Sequence, residues 1–367
     1  MVSDHPMQFE PLKHWLPVKG RFLVISGPCS AESPGQVEAT ARELAATGLV
    51  SVFRAGIWKP RTRPKSFEGK GEEALRWVAA VKKQTGMLTA VEVATPKHVE
   101  LCLEYGIDML WIGARTGVNP FSVQEIAQAL GGTNIPVMVK NPINPDIRLW
   151  TGIIERIYQA GISRIIAVHR GFNTYEKSIY RNIPLWEIPI EMKRLFPGLP
   201  MICDPSHIAG NRTLLPKVSQ NALDLDMDGL MIESHCNPEK ALTDARQQIT
   251  PVRLEQLVKG LVLRKAAGYE KEPARELEAI RQQIDHTDHQ ILEFLSKRMQ
   301  MVEKIAHLKK DNDITILQIE RWNSIFKDRM KTGEAHGLDA AFLKKILELV
   351  HKESINIQTR IMNRENP

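Results

Sequence analysis

Cysteine is scarce in this chain. Four occur in 367 residues, at 29, 102, 203 and 236, with no C-x-x-C pair. That usage excludes a disulfide framework and reads as a reducing, cytoplasmic setting. Long hydrophobic runs are missing as well. No apolar stretch approaches membrane-spanning length, and the opening MVSDHPMQFEPLKHWLPVKG lacks the apolar core of a signal peptide. Neither a membrane nor a secretory route is therefore expected. No block is rich in Lys and Arg, so nucleic acid is not an expected partner. The net charge of +6 is diffuse and suits small anionic substrates.

What is present is a repeat of strand, loop and helix from about residue 20 to 265. Strand candidates are FLVIS (22–26), LVSVFR (49–54), LTAVEV (88–93), MLWIG (109–113), PVMVK (136–140), RIIAVH (164–169), PMICD (200–204) and GLMIE (229–233). They are nearly continuous in Val, Ile and Leu, as in strands buried on both faces. Amphipathic stretches such as PGQVEATARELAATG separate them, here with a final Gly suited to a helix C-cap. Eight such units predict a (β/α)8 TIM barrel within residues 1–266. A doubly wound open sheet is the competing arrangement.

Four residues favour closure. Cys29 follows the first strand, His207 the seventh and Glu233 ends the eighth, with Asp244 a little beyond. In a closed barrel, strand eight pairs with strand one, so these groups converge at the C-terminal mouth, where barrel enzymes keep their chemistry. Thiolate, imidazole and two carboxylates make a mixed divalent-metal site. A lone Cys beside a strand is usually just a buried apolar side chain; the joint placement is what argues for a site. Cys102 in a helix and Cys203 in a strand read as structural, and Cys236, in a loop near the site, stays open.

A second constellation is cationic. Arg54, Arg115, Lys140 and Arg170 mark the ends of strands two, four, five and six, and Lys59-Pro60-Arg61-Thr62 follows strand two. Each alone would read as a solvated charge. Together they describe a mouth for phosphorylated, carboxylated substrates, which Arg grips bidentately and Lys as a point charge.

After Tyr269 strand signals cease. A linker, YEKEPARE, leads into a long helix, ELEAIRQQIDHTDHQILEFLSKRMQMVEKIAHLKK, with apolar positions at Leu277, Ile280, Ile284, Ile291, Leu295, Val302 and Ile305. Helices over 316–332 and 339–363, separated by TGEAHGL, complete a module spanning 267–367. So small an all-α module has little core of its own, and dimerisation through the long helix would supply the missing burial. Arg298 sits among Phe294, Leu295, Met301 and Val302, so its guanidinium needs a partner or a ligand. Lys309, about three turns on, shares its face; Arg281 points about 100° away and could reach a partner chain's pocket instead. Ser354 and Gln358 share a face of the last helix.

The motifs GPCSAES, FRAGIWKPRT, GAR, VKNP, HRGF, DPSHIAGNR, MIESH and LTDARQ resemble 3-deoxy-D-arabino-heptulosonate 7-phosphate (DAHP) synthase, in the short-barrel subfamily shared with 3-deoxy-manno-octulosonate 8-phosphate synthase. The resemblance implies condensation of phosphoenolpyruvate with erythrose 4-phosphate, the first step of the shikimate pathway. It implies a divalent metal, manganese first among manganese, iron, cobalt and zinc, on Cys29, His207, Glu233 and Asp244. Phosphoenolpyruvate would meet Arg54, Lys59, Glu92, Ala114, Arg115, Lys140 and Arg170. Erythrose 4-phosphate would meet Pro60, Arg61, Thr62 and Asp244, with KPRT setting the four-carbon aldose apart from the five-carbon one. Relatives often have Ser where Arg63 stands. Lys59 is the expected proton donor to the aldehyde oxygen, with a pKa depressed by cationic neighbours.

The helical module resembles the all-helical chorismate mutases, which are intertwined dimers. The resemblance implies a chorismate or prephenate site of Arg281 (from the partner chain), Arg298, Lys309, Gln318, Arg321, Ser354 and Gln358, with Arg298 and Lys309 as the catalytic cations. Gln318 stands where Asp is frequent, and Trp322 where a substrate-contacting Glu is. Two other readings compete: a module that only senses chorismate or prephenate and throttles the barrel, and a barrel that makes the octulosonate.

Overall fold

The computed structural model describes residues 7–59, 67–175, 177–264 and 273–363. The chain divides into two compact units, Met1–Ala266 and Ala267–Pro367.

In the first unit, eight strands, β1 (Leu23–Gly27), β2 (Val52–Ala55), β3 (Leu88–Val93), β4 (Met109–Ile112), β5 (Val137–Lys140), β6 (Ile165–His169), β7 (Met201–Cys203) and β8 (Gly229–Glu233), form a closed parallel barrel in sequence order. Closure is made by β1 on β8, from Leu23 opposite Gly229 to Gly27 opposite Glu233. The competing doubly wound arrangement is thereby excluded. Helices α1 (Pro34–Ala46), α2 (Glu72–Thr85), α3 (Pro96–Glu104), α4 (Pro120–Leu130), α5 (Ile147–Gln159), α6 (Glu187–Leu195), α7 (Pro205–Ala209), α8 (Leu215–Asp224) and α9 (Pro251–Gly260) connect and follow the strands.

The strands are buried on both faces because each faces a different layer. Leu23, Ile25, Val52, Ala90, Met109, Trp111, Met138, Ile166, Val168, Ile202 and Met231 fill the barrel interior. The N-terminal segment adds Leu12, Trp15 and Leu16 to this inner cluster. The alternate residues, including Val24, Phe53, Val91, Leu110, Val137 and Leu230, pack against the helices with Leu44, Leu75, Trp150 and Leu254. Helix starts obey local chemistry: Ser33, Thr95, Asn119, Asp146, Asp204 and Thr250 each accept a backbone N–H from the first turn.

Six strands differ from expectation by one to three residues at an end, the loops having claimed residues such as Leu49 and Asp204, while β3 and β8 match. Gly48 takes the left-handed conformation just past α1, as its C-terminal position predicted. Cys102 and Cys203 are buried core residues, in α3 and β7.

The second unit holds α10 (Pro273–Asp311), α11 (Ile319–Ala335) and α12 (Ala340–Met362). The expected break at TGEAHGL is corrected: α11 runs through Thr332-Gly333-Glu334-Ala335 and stops only at His336-Gly337. Gly333 survives inside the helix because Leu343 of α12 packs against it, where a Cβ would collide with the leucine methyls. Few apolar residues are buried in this unit among those described: Val302, Ala306, Leu343 and Ile357. Ile280, Ile284, Ile291, Leu292, Phe294, Met301 and Leu308 of α10 are all about half exposed or more. No helix among the described residues is long and apolar enough to cross a membrane.

Candidate functional site

The barrel mouth brings Cys29, Glu233 and Asp244 together, with one potential ligand atom from each within 4.8 Å of the others. β1 delivers Cys29 and β8 delivers Glu233, side by side because these strands pair. Asp244 arrives on the loop after β8, in a left-handed conformation with φ 49°. Its Oδ2 lies 3.4 Å from the Cys29 Sγ. His207 stands outside that tight trio: its Nε2 is 3.9 Å from Glu233 Oε1. α7 carries it, started by the Asp204 cap and stopped by Gly210, whose positive φ no side chain would favour.

The donor set is electrostatically incomplete. Cys29 and Glu233 are fully buried. Burial, reinforced by Glu233 and Asp244, pushes the Cys29 thiol up to about 12. Two carboxylates crowded against a buried thiol are a set that a divalent cation would complete, displacing the thiol proton. His207 fits as a further ligand: its Nδ1 lies 2.8 Å from Asp204 Oδ2, so a carboxylate orients the ring and leaves Nε2 toward Glu233. The chemistry of this chain's residues thus fits a metal.

The cations expected at the mouth are there, and the buried ones, Arg54, Lys140 and Arg170, are already engaged. Arg54 Nη1 donates to Glu233 Oε1 at 3.0 Å and Nη2 to the Cys29 carbonyl at 3.2 Å. Lys140 donates to Asp204 at 2.7 Å. Arg170 donates to Asn182 Oδ1 at 3.0 Å and to the Gly171 carbonyl; burial, with Arg181 and Arg115 nearby, lowers its pKa to about 10. Arg115 is exposed at the rim. With Glu92, Ala114, His207 and Asp244, these side chains line a tight cavity of about 80 Å3. Glu92 fits only because Gly113 has no Cβ to meet its carboxylate. Pro60, Arg61 and Thr62, expected at the aldose, lie outside the described residues, as does Arg63.

Lys59 corrects one expectation. Its Nζ donates to the Cys29 carbonyl at 2.9 Å and lies 3.2 Å from the Cys29 sulfur. Burial alone would depress its pKa, but Cys29, Glu92 and Glu233 outweigh burial and the Arg54 repulsion, so the pKa is raised. The direction is thus opposite to the expected depression.

Several site residues were not singled out from sequence. Asp204 ties Lys140 to His207, and these two hold its carboxyl well below the usual range against the opposing effect of burial; the Asp-Pro cap of α7 was its only signal. Trp111 lies beneath the Arg54 guanidinium, 4.9 Å from ring centre. Arg181 also lines the mouth, and Gln247 and Gln248 brace it from below. Cys236 lies away from the trio, lining a roomier cavity of about 900 Å3 between α8 and α9 on the barrel flank. Volume does not decide function here, since that cavity lacks the convergent ligands of the mouth.

In the helical unit, Arg298, Lys309, Gln318, Arg321, Ser354 and Gln358 line one cavity of about 340 Å3. Arg298 donates to Ser354 Oγ at 2.6 Å, and Lys309 to the Ile316 carbonyl at 2.6 Å. Gln358 is nearly buried and its Oε1 has no partner. Arg281 is not among the lining residues, as its position around the helix predicted. Sequence reasoning missed Arg329 and His351, which also line the cavity. Trp322 stacks on His351, ring centres 3.6 Å apart. Basic side chains line this cavity with no carboxylate among them, a surface shaped for an anion.

A closed barrel with a cluster able to hold a metal ion, facing cations across its mouth, defines a barrel enzyme for small anionic substrates; the cationic helical cavity adds a second such site. Residues 18–265 match the DAHP synthetase I family, so the chain belongs to that family. Residues 280–359 match chorismate mutase type II. The phospho-2-dehydro-3-deoxyheptonate aldolase of Thermotoga maritima is 34% identical over 239 residues, covering 65% of this chain and 68% of that protein. The 2-dehydro-3-deoxyphosphooctonate aldolase of Desulfatibacillum aliphaticivorans is 28% identical over 273 residues, covering 67% and 93%. Among solved structures, the Thermotoga maritima DAHP synthase superposes with TM-score 0.59 at 32% identity, covering 65% of this chain and 67% of that one. The barrel is that of a DAHP synthase, and the helical unit carries a chorismate mutase domain.

Proposed function

We propose that the barrel condenses phosphoenolpyruvate with erythrose 4-phosphate, water adding to the former enol carbon as phosphate leaves, and that the helical unit rearranges chorismate to prephenate. The observation that carries the first half is the Cys29, Glu233 and Asp244 cluster facing the Lys59, Lys140, Arg115 and Arg170 wall inside one mouth. Cys29, Glu233 and Asp244, with His207 joining them, would hold a divalent ion, which would supply Lewis-acid chemistry for the aldehyde; manganese, iron, cobalt and zinc all suit that donor set. Lys140 and Arg170 grip the phosphate and carboxylate of phosphoenolpyruvate inside the mouth, and exposed Arg115 meets it from the rim. Glu92, held against Gly113, balances the cations. Lys59, kept protonated by its anionic neighbours, donates a hydrogen bond and then a proton to the aldehyde oxygen as it becomes an alkoxide. Trp111 keeps Arg54 and Lys140 in an apolar setting where their charge is poorly screened.

The mutase needs no nucleophile. Arg298, Lys309 and Arg321 hold the two carboxylates and stabilise charge developing on the ether oxygen, and the rigid cavity selects the reactive chair. The half-exposed apolar face of α10 supports a homodimer in which Arg281 of the partner subunit completes the pocket. Occupancy of that pocket by prephenate or chorismate is the route by which the barrel is fed back upon. Four free cysteines suit a reducing cytoplasm.

Phosphoenolpyruvate consumption by metal-stripped protein, with and without Mn2+, tests the barrel reading with erythrose 4-phosphate or arabinose 5-phosphate as acceptor. Metal-dependent loss with erythrose 4-phosphate alone is expected. Loss with arabinose 5-phosphate alone moves the barrel to the octulosonate reaction. Lys59→Met is expected to lower synthase turnover by roughly 10²–10⁴; near-normal turnover would remove Lys59 from the proton-transfer step.

A further inference from the structure

Behind the ligand cluster runs a closed circuit of hydrogen bonds. Arg181 Nη1 donates to Asp244 Oδ1 at 3.1 Å and to Gln247 Oε1 at 2.7 Å. Gln247 Nε2 donates to Glu233 Oε2 at 2.7 Å. The Gln247 backbone N–H returns to the Asp244 carbonyl at 3.1 Å. A guanidinium can only donate and a carboxylate can only accept, so a single orientation of the Gln247 amide satisfies both neighbours. Gln247 is 1% exposed, and a buried amide that finds two charge-assisted partners is held firmly.

The circuit decides which oxygens remain for a metal. Arg181 occupies Asp244 Oδ1, leaving Oδ2 turned to the Cys29 sulfur at 3.4 Å. Gln247 occupies Glu233 Oε2, while Oε1 is the oxygen that faces Arg54 and His207. Each carboxylate is thus fixed to present one oxygen toward the cluster. We infer that Gln247 is a positioning residue: through Arg181 on one side and Glu233 on the other, it sets both carboxylates for monodentate metal ligation and thereby sets the metal affinity. This rests on the proposed metal site.

The loop itself does not depend on Gln247. Gln248 accepts from the Cys29 N–H at 2.9 Å and donates to the Thr243 carbonyl at 2.8 Å. Ser30 bonds Thr243 at 2.6 Å, and Glu32 accepts from the Leu242 N–H at 2.8 Å. Arg212 donates to the Gln248 and Ala245 carbonyls. Gln247→Met, close in size and free of both hydrogen bonds, should therefore fold.

The test is titration of metal-stripped full-length protein with Co2+, read by the thiolate-to-cobalt charge-transfer band and by chelator competition. Gln247→Met is expected to weaken Co2+ binding by about 10–100-fold, with the metal-free protein folded and its melting temperature lowered only slightly by the two lost hydrogen bonds. Arg181→Leu is expected to weaken it comparably, and the double variant to lose little beyond the larger single effect, because both break one circuit. Wild-type affinity in Gln247→Met overturns the inference. So does a loss matched by an equal fall in metal-free melting temperature, which marks a structural role only. Absence of the band in the wild type, or its persistence in Cys29→Ser, overturns the metal reading itself.

Discussion

The two units solve burial in opposite ways. The barrel wraps its strands between an inner and an outer apolar layer, and its charged groups are paired as well as buried: Arg54 with Glu233, Lys140 with Asp204. The helical unit buries few apolar side chains and leaves one face of a 39-residue helix half bare. Its cavity collects cations without opposing carboxylates. A self-contained core can hold compensated charges rigidly before substrate arrives, whereas a cavity of cations without carboxylates is left for an anionic ligand to compensate.

The sharpest way to break this contrast is to charge the bare face. Each isoleucine buried at an interface contributes roughly 1.5–3 kcal/mol. Ile284→Glu combined with Ile291→Glu, applied to both chains of a dimer, should abolish pairing through α10. Mutase activity should then vanish and the helical unit should melt at lower temperature, while phosphoenolpyruvate consumption persists. Sedimentation and the two activity assays check this; a variant with intact mutase activity would mean that α10 is not the dimer seam.

Next in size is Arg298→Ala. Loss of one preorganised cation facing developing charge costs about 10²–10³ in turnover. Mutase kcat is expected to fall by that factor with synthase activity unchanged. If wild-type mutase turnover is already negligible, and the variant instead loses its response to prephenate, the helical unit is a sensor.

The contrast also explains what was legible in sequence. β3 and β8 fall where their mostly apolar runs, LTAVEV and GLMIE, placed them. The types of the mouth residues were legible too, because barrel topology fixes which strand ends meet. Their pairing was not: Glu233 is 179 residues from Arg54, and no local pattern says that this arginine donates to that carboxylate. The same blindness led to a depressed Lys59, since its anionic neighbours come from three separate strands or their loops. In the helical unit the periodicity was plain, but the end of α11 was misplaced because Gly333, normally a stop, is retained to seat Leu343. Arg329 and His351 escaped notice because a helix face shows which residues share a side, not which side closes on a neighbouring helix.

The smallest effect concerns pH. Among the described residues, buried histidines occur only in the barrel, at 169 and 235. His169 is enclosed with Trp150, Phe172 and Trp186 around it. Burial, helped by Arg170, drives its pKa down to about 3. An unfolded imidazole titrates near 6.5. The folded value is the lower one, so as pH falls the unfolded chain takes the proton first. The contribution of neutral His169 is whole above about pH 6.5 and declines by about 1.4 kcal/mol per pH unit below it, toward pH 3. Urea unfolding of the barrel at pH 7.5, 6.5 and 5.5, compared with His169→Leu, isolates this one proton. The variant should show a shallower acid slope by about 1.4 kcal/mol per unit, while the helical unit's slope stays the same in both proteins. Equal slopes in the barrel would mean that His169 takes up its proton without unfolding, and that the barrel's interior is less closed to charge than its packing implies.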